Sequence, residues 1–153
     1  MKYFEDYIYS KDIDWFFTLN GVNIHVASAG GMIPDVMNDR EKLRSVQKAV
    51  FNFRPLYKEN QIIRNIDFIT YKLGIQDTAQ QERYFSSFVE MSMKGFISLD
   101  RTNINNPYDN TYHVVCMPPE LKHFELNCTI YKSYKSFTFS TKMLDNIDLL
   151  ELI

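Results

Sequence analysis

His25 and His113 are the residues in this sequence whose types most readily suggest catalysis. Two histidines at one point can act as acid and base on a phosphodiester while a lysine stabilises the developing oxyanion, with no metal required. Both lie in segments patterned like strands, so a sheet could bring them together. Other chemistries fail on spacing. His25, His113, His123, Cys116 and Cys128 show no CxxC, HExxH or HxH arrangement, so no metal site is expected. The acids around Asp100 lack the glycine and terminal glutamate of a calcium loop. Ala29-Gly30-Gly31 stands between a strand and a helix, but Met32-Ile33-Pro34 follows where a phosphate loop needs Lys-Ser/Thr. Ser28 lacks the preceding glycine of a hydrolase elbow. The expectation is a chain with no catalytic residues, no metal and no cofactor. Its alternative is a small metal-independent phosphodiesterase or ribonuclease built on His25 and His113.

What remains is surface chemistry suited to a protein partner. Tyr3, Phe4, Tyr7, Ile8 and Tyr9 alternate with Glu5, Asp6, Asp12 and Asp14. Aromatic rings give rigid contact area, and carboxylates pair with a partner's Lys or Arg. Through Asp39 there are two lysines against six acids, whereas Arg40 to Lys135 carries fourteen bases against ten acids. The candidate contact residues are therefore Asp6, Tyr7, Asp12, Asp14, Asp35 and Asp39, with Tyr108 and Asp109 as a similar pair in a loop. Arg40, Arg44 and Lys48 form an i, i+4, i+8 basic stripe, which a solvated helix face also produces. The net charge of −2 argues against general attraction to nucleic acid or anionic membrane.

The elements that must position these residues read as one α+β domain over residues 1–153. The 153 residues, 45% hydrophobic and 15% aromatic, suffice for one core without disulfides. Trp15 to Leu19, Asn20-Gly21 and Val22 to Val26 form a hairpin signature, since Asn-Gly suits a turn with two positive φ values. Three central helices follow. The first has Asn38 or Asp39 as cap and Leu43, Val46, Ala49, Val50 and Phe53 inward. The second spans Glu59 to Leu73 and is stopped by Gly74. The third opens at Thr78 with Gln81 as capping-box partner and presents Tyr84, Phe85, Phe88 and Val89. A C-terminal antiparallel sheet is expected from Phe96–Thr102, Tyr112–Met117, the alternation Leu126 to Tyr131, and Phe137–Ser140. Met143 to Ile153 fits a short helix or an edge strand. Acids replace the basic n-region at the N-terminus and Gly and Asn interrupt the uncharged run Trp15–Pro34, so neither a secretion signal nor a membrane span is expected, and the cytoplasm is.

Two stretches carry a family resemblance. Asp14-Trp15-Phe16-Phe17 runs through Gly21 and Ile24-His25-Val26-Ala27-Ser28 to Gly30-Gly31-Met32-Ile33-Pro34. Phe88-Val89-Glu90-Met91 runs through Lys94-Gly95-Phe96 to Asp100-Arg101-Thr102-Asn103. Together they cover about a quarter of the chain, and in them it resembles immunity proteins of bacterial contact-dependent growth inhibition and related polymorphic toxin systems. The resemblance implies a bacterial, cytoplasmic binder of a cognate toxin's C-terminal domain, frequently a nuclease, whose active site it blocks. It transfers no catalytic or contact residue.

Overall fold

The computed structural model describes residues 1–126, 128–140 and 143–153. The hairpin forms as expected: β1 (Asp14–Leu19) and β2 (Val22–Ala27) pair antiparallel, with Leu19 opposite Val22. Asn20 at φ 49° and Gly21 at φ 75° make the turn, the backbone that Asn-Gly tolerates. A five-residue helix that the pattern did not reveal, α1 (Glu5–Tyr9), precedes the hairpin and buries Ile8. The first central helix is α2 (Arg40–Asn52), burying Leu43, Val46 and Val50. Asp39 caps it, accepting from the amides of Glu41 and Lys42, while Asn38 accepts instead from the Tyr3 amide.

The second expected helix is broken. A 3-10 turn at Glu59–Gln61 and a two-residue strand, β3 (Ile63–Arg64), occupy its first half, and only α3 (Ile66–Tyr71) is helical. Asn65 explains the break: its amide donates to the Val115 carbonyl and its side chain to the Val114 carbonyl. Those sheet-edge bonds compete with helix continuation. The third, α4 (Thr78–Met93), buries Phe85, Phe88 and Val89. Its cap is Asp77, accepting from Gln80, while Gln81 reaches away to Thr70 and the Ile75 carbonyl rather than closing a capping box.

β4 (Ile97–Arg101) and β5 (Thr111–Met117) form where expected and pair antiparallel. The expected C-terminal antiparallel sheet is present only in part: β4 and β5, and a further strand on β5, pair antiparallel, but within a larger mixed sheet. β2 pairs parallel with β4, so the hairpin and the later strands share one mixed sheet in the order β3-β5-β4-β2-β1-β6. β6 (Tyr131–Ser133) joins it parallel to β1, and β7 (Ile147–Asp148) pairs antiparallel with β5. Only Tyr131 of the expected Leu126–Tyr131 strand is in strand; Asn127 lies outside the described residues, and Phe137–Ser140 is irregular. In the last segment only Ile147–Asp148 is strand, followed by a 3-10 turn at Leu149–Glu151.

One face of the sheet meets α2 and α4 through Phe16, Ala27 and Cys116. On the other, Trp15, Phe17, Ile24, Val26, Ile97 and Leu99 meet Ile147, Leu149 and Leu152 from the C-terminal segment. Both faces are covered, so every residue of β2 is buried, His25 and Asn23 included. Among the described residues, no helix is long and apolar enough to cross a membrane.

Candidate functional site

The two histidines belong to separate buried networks. Across the sheet, His25 stands beside Ser98, and Asp100 beside both Ala27 and His113. His25 Nε2 lies 2.7 Å from Asp14 Oδ1 and Nδ1 lies 3.0 Å from Ser98 Oγ. The ring thus sits between a carboxylate and a hydroxyl, one at each nitrogen. The carboxylate–imidazole–hydroxyl order is that of a nucleophile chain. Ser98 is fully buried, however, and its oxygen also lies 3.3 Å from the Phe88 carbonyl, so the chain ends inside the protein.

His113 belongs to the second network. Its Nε2 lies 3.0 Å from Tyr84 Oη and its Nδ1 2.9 Å from Thr102 Oγ1. The Tyr84 hydroxyl in turn donates to Asp100 Oδ2 at 2.6 Å. A neutral imidazole satisfies this set, donating through Nε2–H to Tyr84 and accepting from the Thr102 hydroxyl. Burial lowers His113 to about 4 and raises Asp100 to about 6, against the opposing hydrogen bond from Tyr84. Burial also pushes the Tyr84 hydroxyl well above its ordinary value. Both nitrogens of each histidine are thus engaged within the protein, and the His25–His113 pair expected for phosphodiester chemistry presents no free nitrogen to a substrate. Tyr84, Asp100 and Thr102 carried no sequence signal as a group, because only the sheet register unites them.

The candidate contact residues fall into two kinds. Asp39 caps α2, and the amides of Lys42 and Glu41 help hold its carboxyl below the usual range. Asp109 accepts from the Thr111 amide at 2.9 Å and from Asn103, and bonding to Thr111 lowers it likewise. These two carboxylates hold local structure. Asp6 lies exposed on α1 with no side-chain partner among the described residues, and exposed Asp35 faces Lys2 at 3.2 Å. Tyr108 is exposed and meets Tyr9 edge-on, with ring centroids 5.7 Å apart.

Tyr7, Asp12 and Asp14 come together at a cleft of about 440 Å³ between α1 and α2. Tyr3 and Tyr7 stack in one wall at 4.9 Å, with Arg40 over the Tyr3 ring at 5.1 Å. Phe51, 75% exposed at the end of α2, lines it too. The chain ahead of α1 is tied down: Tyr3 exchanges hydrogen bonds with Asn38, and the Arg40 amide donates to the Met1 carbonyl. Asp12 Oδ1 accepts from the Ala29 amide at 2.8 Å, and Asp14 Oδ1 is held by His25. Gln47 donates to the Asp14 carbonyl and fixes α2 against β1. Lys11, Arg44, Gln47 and Phe51 were missed as cleft residues, since they meet only when α2 packs on β1. Among the described residues there is no cluster of three or more metal-ligating side chains. Comparison with family models, curated proteins and solved structures gave no match for this chain.

Proposed function

We propose that this chain is an immunity protein that binds the C-terminal domain of a cognate bacterial toxin one to one, in the cytoplasm, and neutralises it; a nuclease is the proposed target. The observation that carries the reading is the α1–α2 cleft. It combines carboxylates held from behind by hydrogen bonds with exposed aromatic rings, and Asp6, next in sequence to Tyr7 of the cleft, and Asp35, paired with Lys2, are exposed. Groups already fixed in a binding arrangement lose little entropy on association. A nuclease domain must attract phosphate, so a basic surface is expected of it, and acidic clusters on an inhibitor then raise the association rate and favour that partner.

The test is co-expression of the tagged chain with the product of the gene immediately upstream, followed by native mass spectrometry. A one-to-one complex that survives high salt, together with rescue of growth from that product's toxicity, is the expected result. Recovery of the free chain alone, with no rescue, removes the reading. The charge contribution is best tested at Asp6 and Asp35, because reversal at Asp12 or Asp14 would also break the bonds to Ala29 and His25. Asp6→Lys with Asp35→Lys should lower the association rate about tenfold at low salt and flatten its salt dependence. Unchanged association kinetics would exclude these two acids from steering.

A further inference from the structure

The α1–α2 cleft is not simply acidic. Lys11 and Arg44 line it beside Asp12 and Asp14, and among the described residues neither cation forms an ion pair or a side-chain hydrogen bond. The two acids each use Oδ1 internally, on Ala29 and on His25. Charges of both signs therefore share one cleft without neutralising each other. A purely basic occupant would satisfy Asp12 and Asp14 while pressing like charge against Lys11 and Arg44, which disfavours it. An occupant with adjacent base and acid satisfies both pairs.

We propose that this cleft is the anchor site of the interface and that it takes a turn of the partner protein in which a basic side chain stands next to an acidic one. The inference rests on the reading of the chain as a toxin-binding protein. Tyr3 is already flanked by Tyr7 and Arg40, so exposed Tyr7 and Phe51 provide the aromatic faces on which a partner guanidinium rests while it reaches Asp14. The partner's carboxylate meets Arg44, which is free to bind it bidentately. A cleft of about 440 Å³ admits two such side chains. Charge pairs completed only on binding, and shielded there by aromatic groups, are the kind whose loss raises the dissociation rate.

Arg44→Gln decides the question, because among the described residues Arg44 has no ion-pair or side-chain hydrogen-bond partner whose loss would disturb the fold. The probe is the upstream gene product, with kinetics measured on wild type, Arg44→Gln, Asp14→Asn and a control, Asp6→Asn. Asp14→Asn retains an oxygen for His25, and thermal melting checks that it folds. Arg44→Gln and Asp14→Asn should each weaken binding tenfold or more, chiefly through faster dissociation, while Asp6→Asn alters only association. If Arg44→Gln leaves affinity unchanged or tightens it, the mixed-charge anchor is wrong, although the complex itself still supports the toxin-binding reading. If wild type forms no complex with that product, both fall.

Discussion

Asp100 and His113 flank a single buried hydroxyl, that of Tyr84, and their proton affinities are displaced in opposite senses. Asp100 is raised from 3.8 to about 6, so between those values the folded chain binds more proton there than the unfolded chain does. Its contribution to stability is full below pH 3.8 and is lost as pH rises through 6. His113 is lowered from 6.5 to about 4, so in that window the unfolded chain holds the extra proton and stability rises with pH. The slopes oppose each other between about pH 4 and 6, and the pair together leaves stability nearly flat there. Single variants expose each half. Asp100→Asn should become more stable from pH 4 to 6.5, and His113→Gln less stable from pH 4 to 6, relative to wild type. Urea midpoints at three pH values test this; two variants sloping the same way would refute the opposed displacements. Strand alternation put His25 and Asn23 on one face, but it could not show that helices cover that face. That is why the histidines read as candidate acid and base, although the folded chain engages both nitrogens of each.

At the scale of elements, the loops beside the cleft are organised by one side chain. Arg101 is buried and donates to the carbonyls of Ser28, Ala29, Asn103 and Asn106, so a single guanidinium ties the turn after β2 to the loop after β4. Gly31 lets it pass: a Cβ there would lie 2.6 Å from the Arg101 Cδ and Nε and 2.9 Å from the Ser28 carbonyl oxygen. Gly74 is the opposite case, at φ +71° with nothing within 4 Å of a Cβ. Gly74→Ala should cost about 1 kcal/mol for the left-handed backbone alone. Gly31→Ala forces an overpacked contact and should cost about 2–3 kcal/mol. Equal urea denaturation midpoints for the two variants would mean that the Arg101 clamp yields easily. The two glycines also mark what sequence could and could not convey. Gly74 was legible as a stop because punctuation is local, as were the Asn-Gly turn and the inward stripes of α2 and α4. Arg101 looked like any strand arginine, and the stripe Ile62, Ile66, Ile69, Leu73 predicted a helix that Asn65 interrupts through bonds to a strand some fifty residues away. Ile66 is consequently exposed and Ile69 fully buried.

Across the whole molecule, the sheet joins chain segments that sequence order keeps apart. Periodicity identifies a strand and its faces, not its neighbour, so the pairing of the hairpin with the later strands was not legible, and parallel pairing of β2 with β4 makes them one sheet. β6 pairs with β1 from more than 110 residues away, at Phe17–Tyr131 and Leu19–Ser133. The Ser133 hydroxyl donates to the Leu152 carbonyl, and fully buried Leu152 and Leu149 close the core over Trp15 and Phe17. Loop closure over such separations must precede the contacts that reward it, so folding on the millisecond-to-second scale is expected. The β1–β2 hairpin closes locally and can form early, whereas the C-terminal segment needs a sheet already present to dock on. The two ends of the chain should therefore leave different kinetic signatures. Leu149→Ala, which removes a buried side chain at a cost of about 2–5 kcal/mol, should mainly accelerate unfolding. Gly21→Ala, which strains the hairpin turn at φ +75° with no atom nearer its Cβ than His123 at 3.9 Å, should mainly slow folding. Stopped-flow chevrons in urea measure both arms. A Leu149→Ala chevron shifted on its folding arm instead would mean that the C-terminal segment docks before the transition state and helps to nucleate the sheet.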